Sequence, residues 1–179
     1  MFELLFLALA LSMDSFAVSI GLGIKEKNNI KTLALKAGLY FGFFQALMPF
    51  IGYIGGIGLQ QYIFGYDSLI AFVLLSLIGV KMIYEAFGEN VEDEISLISN
   101  KLLLTLAIAT SIDAMAIGFS LHLFSLDPFI SILMIGVITF LFSILGVYIG
   151  SKGGEKYEKK AEVFGGVVLV LIAFKILIF

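Results

Sequence analysis

Six apolar runs, each close to the length needed to cross a bilayer, dominate this chain: about 2–24, 33–57, 68–88, 102–124, 129–150 and 162–179. A spanning helix needs roughly 20 apolar residues, because the hydrocarbon layer is about 30 Å thick. Backbone groups in lipid must bond within their own segment, so such runs read as helices. The alternating ten-residue segments of a transmembrane barrel are absent. Hydrophobic residues make up 60% of the chain and charged residues 14%, against roughly 45–50% and about a quarter in soluble domains. A chain of 179 residues cannot hide that much apolar surface in a core of its own. The expected fold is all-α and integral to a membrane, one transmembrane domain over residues 1–179. The chain starts MFELL, with no basic segment before its first apolar run, so no cleaved leader is expected.

The basic residues are all lysines, and they set an orientation. Lys25, Lys27, Lys31 and Lys36 flank the first connection, Lys101 borders the third, and Lys152, Lys156, Lys159 and Lys160 crowd the fifth. The second and fourth connections, QQYIFGYD and SLDP, carry none. Basic residues favour cytoplasmic loops, so the odd-numbered connections are expected inside and both termini outside. The third connection is also acidic, with Glu89, Glu92, Asp93 and Glu94. It reads as a solvated linker, or more sharply as a collector of divalent cations at a cytoplasmic entrance.

The chain also repeats itself. LALALSMDSFAV from Leu7 matches LAIATSIDAMAI from Leu106, placing Asp14 on Asp113 and Ser12 on Ser111. GFFQALMPFIGYIGG (42–56) aligns with GVITFLFSILGVYIG (136–150), placing Gly42 on Gly136, Gln45 on Thr139, Pro49 on Ser143 and Gly52 on Gly146. LLSLIGVKMI (74–83) aligns with VLVLIAFKIL (168–177), placing Lys81 on Lys175. Repeat one covers about 1–90, the acidic connection about 89–100, and repeat two about 101–179. Three helices per repeat is an odd number, so the second repeat must enter from the opposite side. The expectation is a 3+3 inverted-topology repeat, the plan of many secondary transporters, with a site near the midplane.

Asp14 and Asp113 each fall about halfway along an apolar run. An aspartate there costs roughly 2.5–3.5 kcal/mol on insertion scales, and an intramembrane ionisable group is read as functional by default. One turn away on either side lie Ala10, Leu11, Ala17 and Val18 around Asp14, and Ala109, Thr110, Ala116 and Ile117 around Asp113. These mostly small faces suit helix contact rather than lipid. If helices 1 and 4 cross, the carboxylates meet, and their repulsion is relieved either by protons or by a divalent cation. Cation and protons then compete, which is an exchange mechanism. The plainer alternative is a pair of neutral aspartates fastening two helices.

Carboxylate and carbonyl oxygen suit Mg, Ca and Mn, whereas Zn and Cu prefer His or Cys. The chain has no Cys, and its one histidine, His122, reads as an interfacial surface residue. Supporting oxygen donors are Ser12, Ser15, Thr110, Ser111, Gln45, Thr139 and opened backbone carbonyls. Met13, Met48 and Met115 offer thioethers that would favour Mn, though methionine is more often packing. Pro49, beside Gly52, Gly55 and Gly56, is expected to break helix 2 and free a carbonyl, as a hinge or simply as a tolerated kink. Lys81 and Glu85 stand four apart, as a helical ion pair does. Lys81 and Lys175 either snorkel to the interfaces or supply a counter-charge for an empty aspartate pair.

The blocks ALSMDSFAVS and ATSIDAMAIG, with FFQALMPFIG, GVYIG and KKAEVFGG, resemble the MntP-type manganese efflux pump family along essentially the whole chain. The resemblance implies six helices, the cytoplasmic membrane of a prokaryote, export of Mn²⁺, and Asp14 and Asp113 as the central transport residues. Mn²⁺ would be the transported substrate, with H⁺ as a second one. No enzyme activity, resident cofactor or nucleic-acid partner is implied, and no particular oligomer. Two other readings stand beside it: transport of another divalent cation such as Ca²⁺, and an intramembrane aspartyl protease. Against the protease, both aspartates share one motif, and neither sits in GxGD.

Overall fold

The computed structural model describes residues 2–26, 28–63, 67–87, 98–121, 127–153 and 155–178. Among these residues every regular element is a helix: α1 (Phe2–Lys25), α2 (Ile30–Ile63), α3 (Asp67–Phe87), α4 (Asn100–Thr110), α5 (Ile112–Ser120), α6 (Pro128–Gly150) and α7 (Glu155–Ile178). Each expected run coincides with a helical rod, and the fourth run forms two pieces, α4 and α5. Several rods outrun their apolar stretch. α7 starts at Glu155 rather than near 162, because GluLysTyrGluLysLys are helix formers that need no lipid. Among the described residues, four spans are long and apolar enough to cross a membrane on those grounds alone: Leu4–Lys25, Ile30–Ile57, Asn100–Phe119 and Pro128–Gly150. The protein is a multi-pass membrane protein.

Helix starts follow local chemistry. Asp127 caps α6 by accepting from the N–H groups of Phe129 and Ile130 at 2.9 and 3.0 Å, with Pro128 in the first turn. Ser99 caps α4 through the N–H of Leu102 at 3.1 Å. Lys36 Nζ donates to Asn100 Oδ1 at 2.9 Å, tying the start of α2 to the start of α4.

The distribution of polarity is that of a bundle solvated by lipid. Leu133, Leu171 and Phe43 are more than 60% exposed, while Ser12, Ser15, Ser19, Gln45, Ser111, Thr139 and Ser143 are fully buried. Water would not leave those leucines outside and those hydroxyls inside; a hydrocarbon solvent does.

The main interfaces join the two halves of the chain. α1 packs on α6 and α7, α2 on α4, α5 and α6, and α3 on α7. Glycines set the spacing. A Cβ on Gly42 would stand 3.0 Å from the carbonyl oxygen of Gly136, and one on Gly136 would stand 3.0 Å from that of Gly42. A Cβ on Gly52 would strike the carbonyl of Met115, and one on Gly146 would lie 2.7 Å from the carbonyl of Phe16. No side chain other than hydrogen fits at these crossings.

Two expectations about helix integrity are corrected. Pro49 does not break helix 2: α2 runs unbroken from Ile30 to Ile63 with the proline inside it. The Pro49 backbone is packed against Gly118 of α5. The break falls instead in the fourth run, at Ser111 (φ −103°, ψ 0°). Ser111 Oγ and Thr110 Oγ1 both donate to the carbonyl of Ala107, at 2.6 and 3.4 Å. The Ser111 N–H is diverted to Ile108, at 3.2 Å. Two hydroxyls thus compete for the carbonyl that the helical ladder would use. In the first repeat the equivalent pair is Leu11 and Ser12. Only one hydroxyl bonds back there, Ser12 to Leu9 at 2.8 Å, and α1 stays continuous.

Candidate cation site

The two carboxylates stand on different kinds of backbone. Asp14 is half-buried within the unbroken α1. Asp113 is half-buried in the first turn of α5, where its Oδ1 accepts from the N–H of Ala114 at 2.7 Å. The break at Ser111 turns mid-membrane backbone into a helix N-terminus, whose partial positive charge faces that carboxylate. Asp14, inside a continuous helix, has no such terminus.

The structure brings several candidates together. Asp14 and Lys81 both lie within Coulombic range of Asp113. Ser15 Oγ lies 3.5 Å from Thr110 Oγ1, a long hydrogen bond that links α1 to α4 beside both aspartates. Gln45 Nε2, from α2, donates to the carbonyl of Leu11, three residues before Asp14, at 3.1 Å. Its Oε1 is buried with no partner among the described residues, as is Thr139 Oγ1. Ser12 and Ser111 spend their hydroxyl protons on their own helices but keep oxygen lone pairs.

Other candidates sit elsewhere. Met13 is buried in the apolar cluster and packs against Gly165 of α7. Met115 is 38% exposed on the outer face, and Met48 is half-buried. Ala109, expected on the contact face around Asp113, is exposed on α4. Lys81 and Lys175 are both exposed on their helices. The side chain of Glu85, and His122, Glu89, Glu92, Asp93 and Glu94, lie outside the described residues.

Sequence reasoning missed Ser19 and Ser143, whose fully buried hydroxyls have no partner among the described residues. Their signal was the hydroxyl itself, standing in otherwise apolar helical turns. Among the described residues no three His, Cys, Asp or Glu side chains cluster as a metal cage. An ion held by two carboxylates would complete its shell with hydroxyl, amide and carbonyl oxygen or water, which suits a hard divalent cation.

The family whose description is "Putative manganese efflux pump" matches residues 27–177. A protein of Aliarcobacter butzleri bearing that description as its name, with the suffix MntP, is 69% identical over 179 residues, all of both chains. A Saccharophagus degradans protein of the same name is 54% identical over 177 residues, 99% of this chain and 98% of its own. One from Methanosphaera stadtmanae, again of that name, is 43% identical over 178 residues, 99% of each chain. No solved structure matches.

Proposed function

Because this chain belongs to the MntP family, we propose that it is a secondary transporter that exports Mn²⁺ from the cytoplasm in exchange for protons. The observation that carries the substrate is the whole-length match to proteins named as manganese efflux pumps. Membership of a family of pumps, not of enzymes, sets the protease reading aside.

Asp14 and Asp113 bind the ion in this proposal, supported by their mutual Coulombic reach. Ser15, Thr110 and Gln45 supply neutral oxygen beside them, with Ser12 and Ser111 able to contribute lone pairs and Thr139 a further buried hydroxyl on α6. Two carboxylates facing each other in a low-dielectric site hold protons when empty and release them to a divalent cation. Lys81 supplies a counter-charge in the unloaded site, a role supported by its reach to Asp113 and by the packing of α3 on α5.

Carriage proceeds by alternating access between inverted repeats. The glycine contacts support this symmetry. Gly52 against Met115 and Gly146 against Phe16 are equivalent pairs under the internal repeat, and Gly42 meets its own equivalent, Gly136. The lysine distribution supports an orientation with the odd connections in the cytoplasm and both termini outside.

The test is Mn²⁺ uptake into proteoliposomes with an internal pH dye, comparing wild type with Asp14→Asn and Asp113→Asn. Asparagine keeps shape and removes charge. Mn²⁺ entry with opposite proton flow, lost in either variant, is the expected result. Undiminished transport by both variants sinks the site, and wild-type preference for Ca²⁺ over Mn²⁺ sinks the substrate.

A further inference from the structure

Serine hydroxyls within helices ordinarily bond back to a carbonyl one turn earlier. Ser12, Ser111, Ser131 and Ser151 do so. Ser19, Ser143 and, on α3, Ser76 do not: none of these hydroxyls has a partner among the described residues, and Ser19 and Ser143 are 0% exposed. Both belong to the α1–α6 seam. Ser19 packs on Gly146, where an added Cβ would stand 2.8 Å from Ser19 Cβ. Ser143 lies three residues before Gly146, on the same buried face of α6. Ser19 lies five residues past Asp14, towards the lysine-rich end of α1; that is about 7.5 Å along the helix.

The internal repeat supplies a comparison within the molecule. The equivalents of Ser19 and Ser143 are Gly118 and Pro49, on the α5–α2 seam. There the chain is backbone against backbone: an added Cβ on Gly118 would collide with the Pro49 carbonyl. Neither of those two residues carries a hydroxyl. Both crossings are close-packed at their glycines; they differ in that one carries two unspent hydroxyls at positions where the other has glycine and proline.

We propose that the Ser19–Ser143 seam is the hydrated route by which a divalent cation passes between Asp14 and the lysine-rich side of the membrane. The proposal rests on the transporter reading above and adds a path and its side. A buried polar group without a partner carries a desolvation penalty, and it is relieved when the seam parts and the hydroxyls meet a hydrated ion. In this structure the seam is closed toward its lysine-rich end by Gly150 against the carbonyl of Ile20 and by Gly23 against that of Val147.

The chain contains no cysteine, so single substitutions report cleanly. Ser19→Cys and Ser143→Cys each exchange only oxygen for sulfur and serve as independent reporters. Ala173→Cys, 0% exposed in the apolar cluster, is the buried control. Oriented vesicles are treated with the membrane-impermeant cation 2-(trimethylammonium)ethyl methanethiosulfonate from either side, with and without Mn²⁺. From the lysine-rich side, the reporters are expected to react roughly tenfold or more faster than the control, since exposed thiols react and buried ones are inert. Mn²⁺ should slow that reaction. Rates equal to the control, or faster reaction from the opposite side, overturn the route. Reaction that no divalent cation slows overturns it as a cation path. Protection by another divalent cation but not by Mn²⁺ sustains the route while sinking the substrate assignment.

Discussion

Thr139→Val should make this protein more stable and a poorer transporter. Thr139 Oγ1 is buried, at 0% residue exposure, and has no partner among the described residues. Valine keeps the β-branched shape and the helical χ1 preference while replacing the hydroxyl by a methyl. An unsatisfied buried hydroxyl costs about 1–3 kcal/mol. In a bilayer the unfolded reference retains its helices, where the hydroxyl can bond back to the carbonyl of Ile135, so hydrogen-bond differences there average about 0.6 kcal/mol. The expected gain is therefore near the low end, about 1 kcal/mol, or about 2–4 °C for a chain of this size. Thermal unfolding in detergent, followed by near-ultraviolet circular dichroism, reads the shift. Proteoliposome transport reads the other half: Mn²⁺ flux should fall if the hydroxyl meets the ion. A drop in stability of about 1 kcal/mol or more would show the hydroxyl to be satisfied at rest. That would refute the reasoning for Thr139 and weaken it for Ser19 and Ser143.

Glycine substitutions should split by position. Gly52→Ala drives its Cβ into the Met115 carbonyl and should lower stability by about 1–3 kcal/mol or more. Gly55→Ala meets nothing within 4 Å and should raise stability by about 0.5–1 kcal/mol through helix propensity; equal effects in thermal unfolding would sink the packing argument. Thr110→Leu installs the residue found at the equivalent position of the first repeat and leaves one hydroxyl on the Ala107 carbonyl. Amide exchange at residues 111–114 should slow as α4 and α5 join, and unchanged exchange would place the cause of the break elsewhere. Saturating Mn²⁺ at a hundred times its Kd should stabilise the wild type by about 2.7 kcal/mol. The same ion should leave Asp113→Asn unshifted in that assay, and an equal shift would put the ion at another site.

Much of this molecule is legible along the chain because its helices are set by local quantities. Lipid demands apolar runs with internally satisfied backbone, so the runs and the rods coincide. The aspartates stand out because a carboxylate amid hydrocarbon has no cheap explanation, and the repeat is visible because aligned letters need no coordinates. The capping of α6 by Asp127 and Pro128 is likewise a matter of adjacent residues.

The rest depends on which helix lies next to which. Pro49 reads as a breaker in isolation, yet α2 runs whole through it, with the Pro49 backbone packed on Gly118. Ser111 reads as one more hydroxyl in a helix, yet its convergence with Thr110 on one carbonyl opens the fourth span beside Asp113. Ser19 and Ser143 are ordinary serines in one dimension and orphaned hydroxyls in three. Their difference from Gly118 and Pro49 acquires meaning only where α1 meets α6 and α2 meets α5. Helix formation and insertion are decided within about twenty residues. Burial and partnering are decided by neighbours from the other half of the chain, whose approach no local pattern encodes.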